Sequence, residues 1–339
     1  MVKVTRGRYR CSGCGFSKAG YLDPSLDESG VLPETLERMV YLSKLLPYRQ
    51  ACKVLERFDV PVKKTVLSQL DAQFNRCQTQ EGTRRLFERA QEPLACRHER
   101  GRLWMLETDG KFVPVSGAVG VEYREVKTAV LYKMHTPSER YYLSSLDDLQ
   151  SFSTRVHGLL RHAGVCQEDR LIGLSDGARW IANLFGDLGV HVHILDVFHT
   201  SLYLEQVMVA LGWEDSRRSL ARGALLRGEL DVQSWLNQHI SEAQPFKEEG
   251  QKAVQYLKNQ ALLGHTAYPA FKARGLEVIG SGQIEGANKA VIGARLNVCG
   301  ARWSQSGAQG MVFGRAELHS HRAITDFETL RFQAFPWAA

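Results

Sequence analysis

Three acidic residues stand where their types and spacing could do chemistry. Asp109 and Asp176 each close an apolar, strand-like run, at 102–108 and 170–175, and each precedes a glycine. The third, Glu285, lies in the stretch Gly280-Ser281-Gly282-Gln283-Ile284-Glu285-Gly286-Ala287-Asn288-Lys289. Converging carboxylates repel one another and their pKa values rise unless a cation joins them. Mg²⁺ suits such a set, because it takes carboxylate oxygens and keeps waters and substrate phosphates as its other ligands. Two such ions about 3.5–4 Å apart activate the attacking oxygen and stabilise the leaving one in phosphoryl transfer. The pattern therefore predicts a site for two Mg²⁺ or Mn²⁺ ions held by Asp109, Asp176 and Glu285. A single Asp-Gly is more often a turn. Repetition at two strand ends, with a carboxylate in a helical first turn, is the more specific signal.

The elements that must position these groups follow from periodicity. Ile284, Asn288, Val291, Ile292 and Arg295 recur at three- and four-residue steps, as one helix face requires. Glu285 then sits in the first turn, where the helix dipole favours a negative charge by about 0.3–1 kcal/mol. Gly280 and Gly282 permit a close backbone approach or a positive φ. Strand patterns cover 102–108, 125–134, 140–143, 170–175 and 191–195, with a short extended piece at 112–115. Helical patterns cover 147–162 and 178–188, and helices dominate from about 200 to 275. Three sequential strands predict an antiparallel meander, and the strand-helix-strand steps predict parallel additions with right-handed crossovers. The expected fold is α/β, an RNase H-like mixed sheet with a helical insertion, over 101–325. In open α/β sheets, sites gather at strand ends where the topology switches. Asp196 also ends a strand and competes with Asp176 for the second position. His199 could orient a phosphate, shuttle a proton, brace Asp196, or simply begin a helix.

Composition bounds the rest. The chain has 339 residues, is 44% hydrophobic and carries a formal charge of +6, which suits an anionic partner such as nucleic acid. No apolar run approaches the roughly 18 residues of a membrane span. The first ten residues are basic and lack the apolar segment of a secretory signal. The seven cysteines are scattered apart from Cys11 and Cys14, which argues against a disulfide framework and for a cytoplasmic location. Cys11 and Cys14 form half of a Zn²⁺ ribbon site, a remnant knuckle within 1–30. Cys52, Cys77, Cys96 and His98 are irregularly spaced as completing ligands, so Zn²⁺ stays open. Residues 31–100 read as helical: two short helices and a turn, with Lys63 and Lys64 at the next helix start, resemble a helix-turn-helix. An ordinary helical subdomain is the alternative. The stretch 78–100 reads as a linker or solvated helix, and 326–339 as a tail. After Glu285, Lys289, Arg295 and Arg302 suit a phosphate backbone, and Trp303 suits either base stacking or a core.

Four motifs carry a resemblance. They are Glu107-Thr108-Asp109-Gly110, Leu174-Ser175-Asp176-Gly177-Ala178-Arg179-Trp180-Ile181, Ile194-Leu195-Asp196-Val197-Phe198-His199 and the stretch 280–289. Together the chain resembles bacterial insertion-sequence transposases of the ISKra family, in the Mutator-like group, from about residue 9 to 320. That resemblance implies a DDE triad on an RNase H-like fold, here Asp109, Asp176 and Glu285. Asp196 and His199 match the Asp-x-x-His element of that group. It implies metal-dependent cutting of DNA at element ends, joining to target DNA, and a homo-oligomer on paired ends. The start close to the CxxC predicts an N-terminally truncated copy. Two other readings compete: a defective or domesticated DNA-binding protein that keeps the fold, and a glycoside hydrolase, which also uses two carboxylates. The basic segment after Glu285 argues against the second.

Overall fold

The structure is a computed structural model, and it describes residues 6–10, 17–21, 33–97, 101–241 and 246–334. Strands β1 (Arg6–Arg10) and β2 (Ser17–Tyr21) pair antiparallel. Cys11 and Cys14 lie outside the described residues, and so does the Zn²⁺ expectation.

Three helices come next: α1 (Pro33–Leu45), α2 (Tyr48–Arg57) and α3 (Lys64–Ala90). Pro47 sits just before α2, where a fixed φ is compatible with a helix start. The stretch 78–100, expected as a linker or solvated helix, is helical as far as Ala90, as the second half of α3, but one face of it is buried. The α3 buried residues Leu67, Asp71, Phe74, Asn75, Gln78, Gly82 and Leu86 recur at helical spacing, so α3 presents one face to the body for its whole length. Charged residues masked that face in the sequence. Glu81, for example, is buried yet bridged by Arg84 and Arg85 on its own helix.

Five strands then form one mixed sheet: β3 (Leu103–Ser116), β4 (Val121–Lys133), β5 (Thr136–Ser145), β6 (Arg170–Ser175) and β7 (Val192–Leu195). Their spatial order is β5-β4-β3-β6-β7. The β3–β4 and β4–β5 pairs are antiparallel; β3–β6 and β6–β7 are parallel. The meander and the parallel additions are as expected, and this α/β arrangement is compatible with an RNase H-like fold. One boundary differs. Asp109-Gly110 does not end a strand, because β4 pairs with β3 without a break from Trp104 to Ser116. It is β6 that stops, at the pair Glu107↔Leu174. Beyond that pair β5 still flanks β4 as far as Lys127↔Ser145, opposite Gly110, and from Lys111 on β3 and β4 run on as a two-stranded ribbon.

Alternation along the strands feeds two cores. One face, with Met105, Tyr132, Ile172, Leu174 and Ile194, packs on the helical insertion. The other, with Trp104, Leu106, Leu131 and Leu171, packs on α4 (Leu149–Ala163), α5 (Arg179–Asp187) and the end of α3. The insertion comprises α6 (Val197–Ala210), α7 (Asp215–Leu226), α8 (Val232–His239), α9 (Glu248–Leu262) and α10 (Tyr268–Ala273), close to the expected bounds. After it come α11 (Gly282–Ala287), a π-helical turn at Asn288–Gly293, α12 (Ala294–Leu296), α13 (Gln305–His319) and α14 (Phe327–Ala334). The last helix returns to α3, with the Phe327 ring stacked on Phe74 at 5.2 Å.

The sheet carries an acid-sensitive point. His193 on β7 contacts Ser175 Oγ at 2.9 Å and packs against the rings of His265 and Phe185. Burial, with His265 beside it, pushes His193 down from 6.5 to about 3. The unfolded chain therefore binds this proton first. Stability from this group is complete above about pH 6.5 and is lost as pH falls toward about 3. We expect up to about 1.4 kcal/mol lost per pH unit in that window, and a flatter profile for His193→Gln. Urea unfolding at pH 7, 6 and 5 checks this; parallel slopes for both proteins would contradict it.

Candidate metal and phosphodiester site where β6 stops beside β3

Register places the site. Glu107 pairs with Leu174 at the end of the β3–β6 ladder; Asp109 lies two residues further along β3 and Asp176 just past the end of β6, near enough for their charges to interact. Ser175 pairs with Leu195, which brings Asp196 to the same level beside Asp176. All three continue the strand face that packs on the insertion, since Met105, Leu174 and Ile194 belong to that core.

The three aspartates are not equivalent. Asp109 is half-buried; burial pushes its carboxyl above the ordinary range, the Gly110 N–H opposes this, and the Asp176 charge adds to it. Asp176 is also partly exposed, and its Oδ1 accepts from the Ala178 N–H at 2.9 Å. Gly177 beside it has φ +88°, and a Cβ there would lie 2.4 Å from Tyr256 Oη, so the turn after Asp176 requires glycine. That Tyr256 hydroxyl donates to the Asp176 carbonyl at 2.8 Å. Asp196 is fully buried and caps α6: Oδ2 accepts from the His199 N–H and contacts His199 Nδ1, both at 2.9 Å, while Oδ1 accepts from Ser281 N–H at 2.8 Å. Burial works to raise its pKa, but the bonds from His199 and Ser281 win and hold it below the ordinary value. With its oxygens so engaged, Asp196 is a brace. His199 is pushed up by the Asp196 bond against burial, with Asp176 and Asp109 adding to the rise.

The α11 segment is seated on this edge by backbone and side-chain donors. Ser281 N–H reaches Asp196, Ile284 N–H reaches Glu107 Oε2 at 2.9 Å, and Asn288 Nδ2 reaches Asp109 Oδ2 at 2.6 Å. Glu107 is fully buried and also accepts from Tyr132 Oη at 2.5 Å. Burial pushes it up to about 7 against those bonds. Sequence patterning did not single out Glu107 as a site residue. Its signal was there: a lone carboxylate after the apolar run Leu103-Trp104-Met105-Leu106. All five residues of the expected helix face, Ile284, Asn288, Val291, Ile292 and Arg295, are buried. The π-helical turn falls where that face meets Asp109, and such irregularities often mark functional places.

Glu285 is in the first turn of α11, as expected, but it is exposed and stands 3.5 Å from Lys289 Nζ. It lies one turn before Asn288. Among the described residues, no three or more His, Cys, Asp or Glu side chains stand together as a metal site. The structure therefore brings Asp109 and Asp176 together, adds Asn288, and leaves Glu285 at the rim. Asn288 Oδ1 is buried and has no hydrogen-bond partner. Two carboxylates and a neighbouring amide supply oxygens of the type a hard divalent cation takes, although it is Asn288 Nδ2 that faces Asp109 here. Asn288→Ala is expected to weaken Mn²⁺ binding about 10- to 100-fold, read by Mn²⁺ titration; unchanged affinity would remove Asn288 from the site.

The residues expected to meet DNA divide. Lys63 and Lys64 are exposed at the start of α3, and Arg302 is exposed. Lys289 is exposed but paired with Glu285. Arg295 and Trp303 are buried, with the Arg295 guanidinium 4.8 Å from both the Tyr48 and Trp303 rings. Arg295 Nε donates to Ser43 O at 3.1 Å. Both side chains are therefore held in the body of the protein, Arg295 by Ser43 of α1 and Tyr48 of α2, and not presented on an open surface. The helical spacing that put Arg295 on the Glu285 helix face also buried it.

The chain matches no protein-family model and no curated protein. No helix among the described residues is long and apolar enough to cross a membrane.

Proposed function

We propose that this chain is a metal-dependent polynucleotidyl transferase, a DDE-type transposase that cuts DNA at the ends of an insertion sequence and joins the freed 3′-hydroxyl to target DNA. The observation that carries the reading is that Asp109 on β3 and Asp176, the residue that follows β6, lie beyond the last β3–β6 pair close enough for the Asp176 charge to act on Asp109, where the sheet changes from antiparallel to parallel pairing. The N-terminal helices, read as helix-turn-helix-like, and the net charge of +6 suit a DNA partner, with a homo-oligomer forming on paired ends.

Asp109, Asp176 and Asn288 Oδ1 would hold Mg²⁺ or Mn²⁺. Such an ion supplies a Lewis acid for the phosphodiester and acidifies its bound water. The chain's own groups do the rest. Asp196 and Glu107 hold the 280–288 segment against the strand ends through Ser281 and Ile284. His199, kept above its ordinary pKa, presents a proton beside the two aspartates, where a phosphate oxygen would lie. Glu285, on the rim of that segment and 3.5 Å from Lys289 Nζ, would be a further carboxylate for the metal if DNA drew Lys289 to its phosphate backbone.

The Glu285–Lys289 pair also favours a second reading, a DNA-binding protein that keeps the fold without the chemistry. One experiment separates the two: DNA carrying the flanking repeats of the gene, with Mg²⁺, Mn²⁺ or EDTA, for wild type and Glu285→Gln. Metal-dependent cleavage and strand transfer, lost in Glu285→Gln, is the expected result. Retarded DNA without products in any metal would refute the transferase.

A further inference from the structure

A second polar cleft lies away from the aspartates, between the α2–α3 corner and the chain joining α12 to α13. Its volume is about 420 Å³, and Tyr48, Arg49, Lys64, Arg295, Arg302 and Trp303 are among its lining residues. Among the described residues, no acidic side chain lines it. Arg49, Lys64 and Arg302 are exposed, and none has an ion-pair partner among the described residues. Two deeper groups are more telling. Arg295 is 3% exposed and Trp303 9%, yet Arg295 Nη2 and Trp303 Nε1 are buried donors without a hydrogen-bond partner. A buried donor left unpaired is costly, and native proteins seldom keep two side by side without a ligand or water to satisfy them. The cleft thus combines three exposed cations with two lining residues that each keep an unpaired buried N–H donor. All five groups donate, and none accepts.

We propose that this cleft is a phosphate-binding site that takes the backbone of a nucleic-acid strand, a contact separate from the catalytic edge. The inference rests on the transposase reading for its choice of ligand. A phosphodiester offers only acceptor oxygens and a negative charge, which matches a wall of donors. Arg295 is held between two rings with Nε committed to Ser43 O, so its free nitrogen is fixed in place before any ligand arrives. The cleft is also tied to the catalytic strand: Trp303 O accepts from Ser116 N–H at 2.7 Å, at the far end of the strand that carries Asp109. A strand bound there is registered against that site by the protein's own backbone.

The test is DNA affinity against salt for wild type, Lys64→Glu/Arg302→Glu and Trp303→Phe, using a labelled duplex. The first variant changes only exposed side chains; the second removes the indole N–H and keeps a ring for Arg295. We expect the charge reversal to weaken binding at least tenfold. It should also flatten the plot of log affinity against log salt by about 0.9 for each phosphate that the variant no longer neutralises. Trp303→Phe should weaken binding several-fold under conditions where its unfolding curve shows the variant fully folded. Affinities and slopes equal to wild type in both variants would overturn the cleft. Inorganic phosphate is the competing probe: millimolar phosphate that displaces DNA from wild type but not from the charge-reversed protein, at constant ionic strength, would assign the cleft to a free anion and overturn the strand. Cleavage is scored in the same samples. Wild type that binds in a Lys64- and Arg302-dependent way without cutting would refute the transferase and leave the cleft standing.

Discussion

If the chain is the proposed transferase, Asp109→Asn is expected to lower its metal-dependent strand cleavage by about a thousandfold, with DNA affinity unchanged within about twofold. The size follows from what the carboxylate does. A bound divalent cation supplies several kcal/mol of charge stabilisation in the transition state, and about 4 kcal/mol is roughly a thousandfold in rate. Asparagine keeps the shape and one oxygen, but loses the charge that couples Asp109 to Asp176. The Asn288 amide would then face an amide, and its bond to Asp109 Oδ2 would be weakened. Asp176→Asn should cost about as much. The double variant should lose little more than either alone, because residues that act as one unit are strongly non-additive. Single-turnover cleavage in Mg²⁺ measures all three. An Asp109→Asn protein that cuts at the wild-type rate would remove the residue from the chemistry.

The largest expected effect on folding comes from Gly158→Ala. Gly158 is on α4 where α3 crosses it, and a Cβ there would lie 2.1 Å from the Leu86 carbonyl oxygen and 2.7 Å from its carbon. The neighbour is backbone, so α3 and α4 must move apart, and overpacking of this kind costs about 3 kcal/mol. Gly82→Ala provides the contrast. Its Cβ would meet the Phe313 ring, a side chain that can shift, so a smaller loss is expected. Chemical denaturation of the three proteins gives the order wild type, Gly82→Ala, Gly158→Ala. Equal stability for Gly158→Ala would mean that α3 does not pack there, and that the stretch after 78 is the solvated segment its charges suggest.

That helix shows what the sequence hid. Arg84, Arg85 and Glu88 made 78–100 read as solvated, and the buried face, Gln78, Glu81, Gly82 and Leu86, holds only one large apolar residue. The β6 strand, by contrast, was legible to the residue, because an apolar run buried on both sides has no other use. So was the face of the Glu285 helix, whose three- and four-residue spacing reports its burial. Asp109-Gly110 misled for a physical reason. It looks like a turn, and only the continued pairing with β4 keeps it extended. Asp176 and Asp196 were legible as strand-end acids, but the division of the three aspartates into two half-buried carboxylates and one fully buried brace depends on Ser281 and His199, which hold Asp196. Glu107 and Asn288 became site residues only when the α11 segment docked on the sheet.

On the transferase reading, Asp109 and Asp176 form one metal site. Mn²⁺ binding, followed by the loss of its free EPR signal in wild type, Asp109→Asn and Asp176→Asn, tests this most directly. Saturable binding by wild type, weakened at least tenfold by either substitution, is the predicted result. Wild type that binds no Mn²⁺ with DNA present, or binding that both variants retain in full, would contradict it.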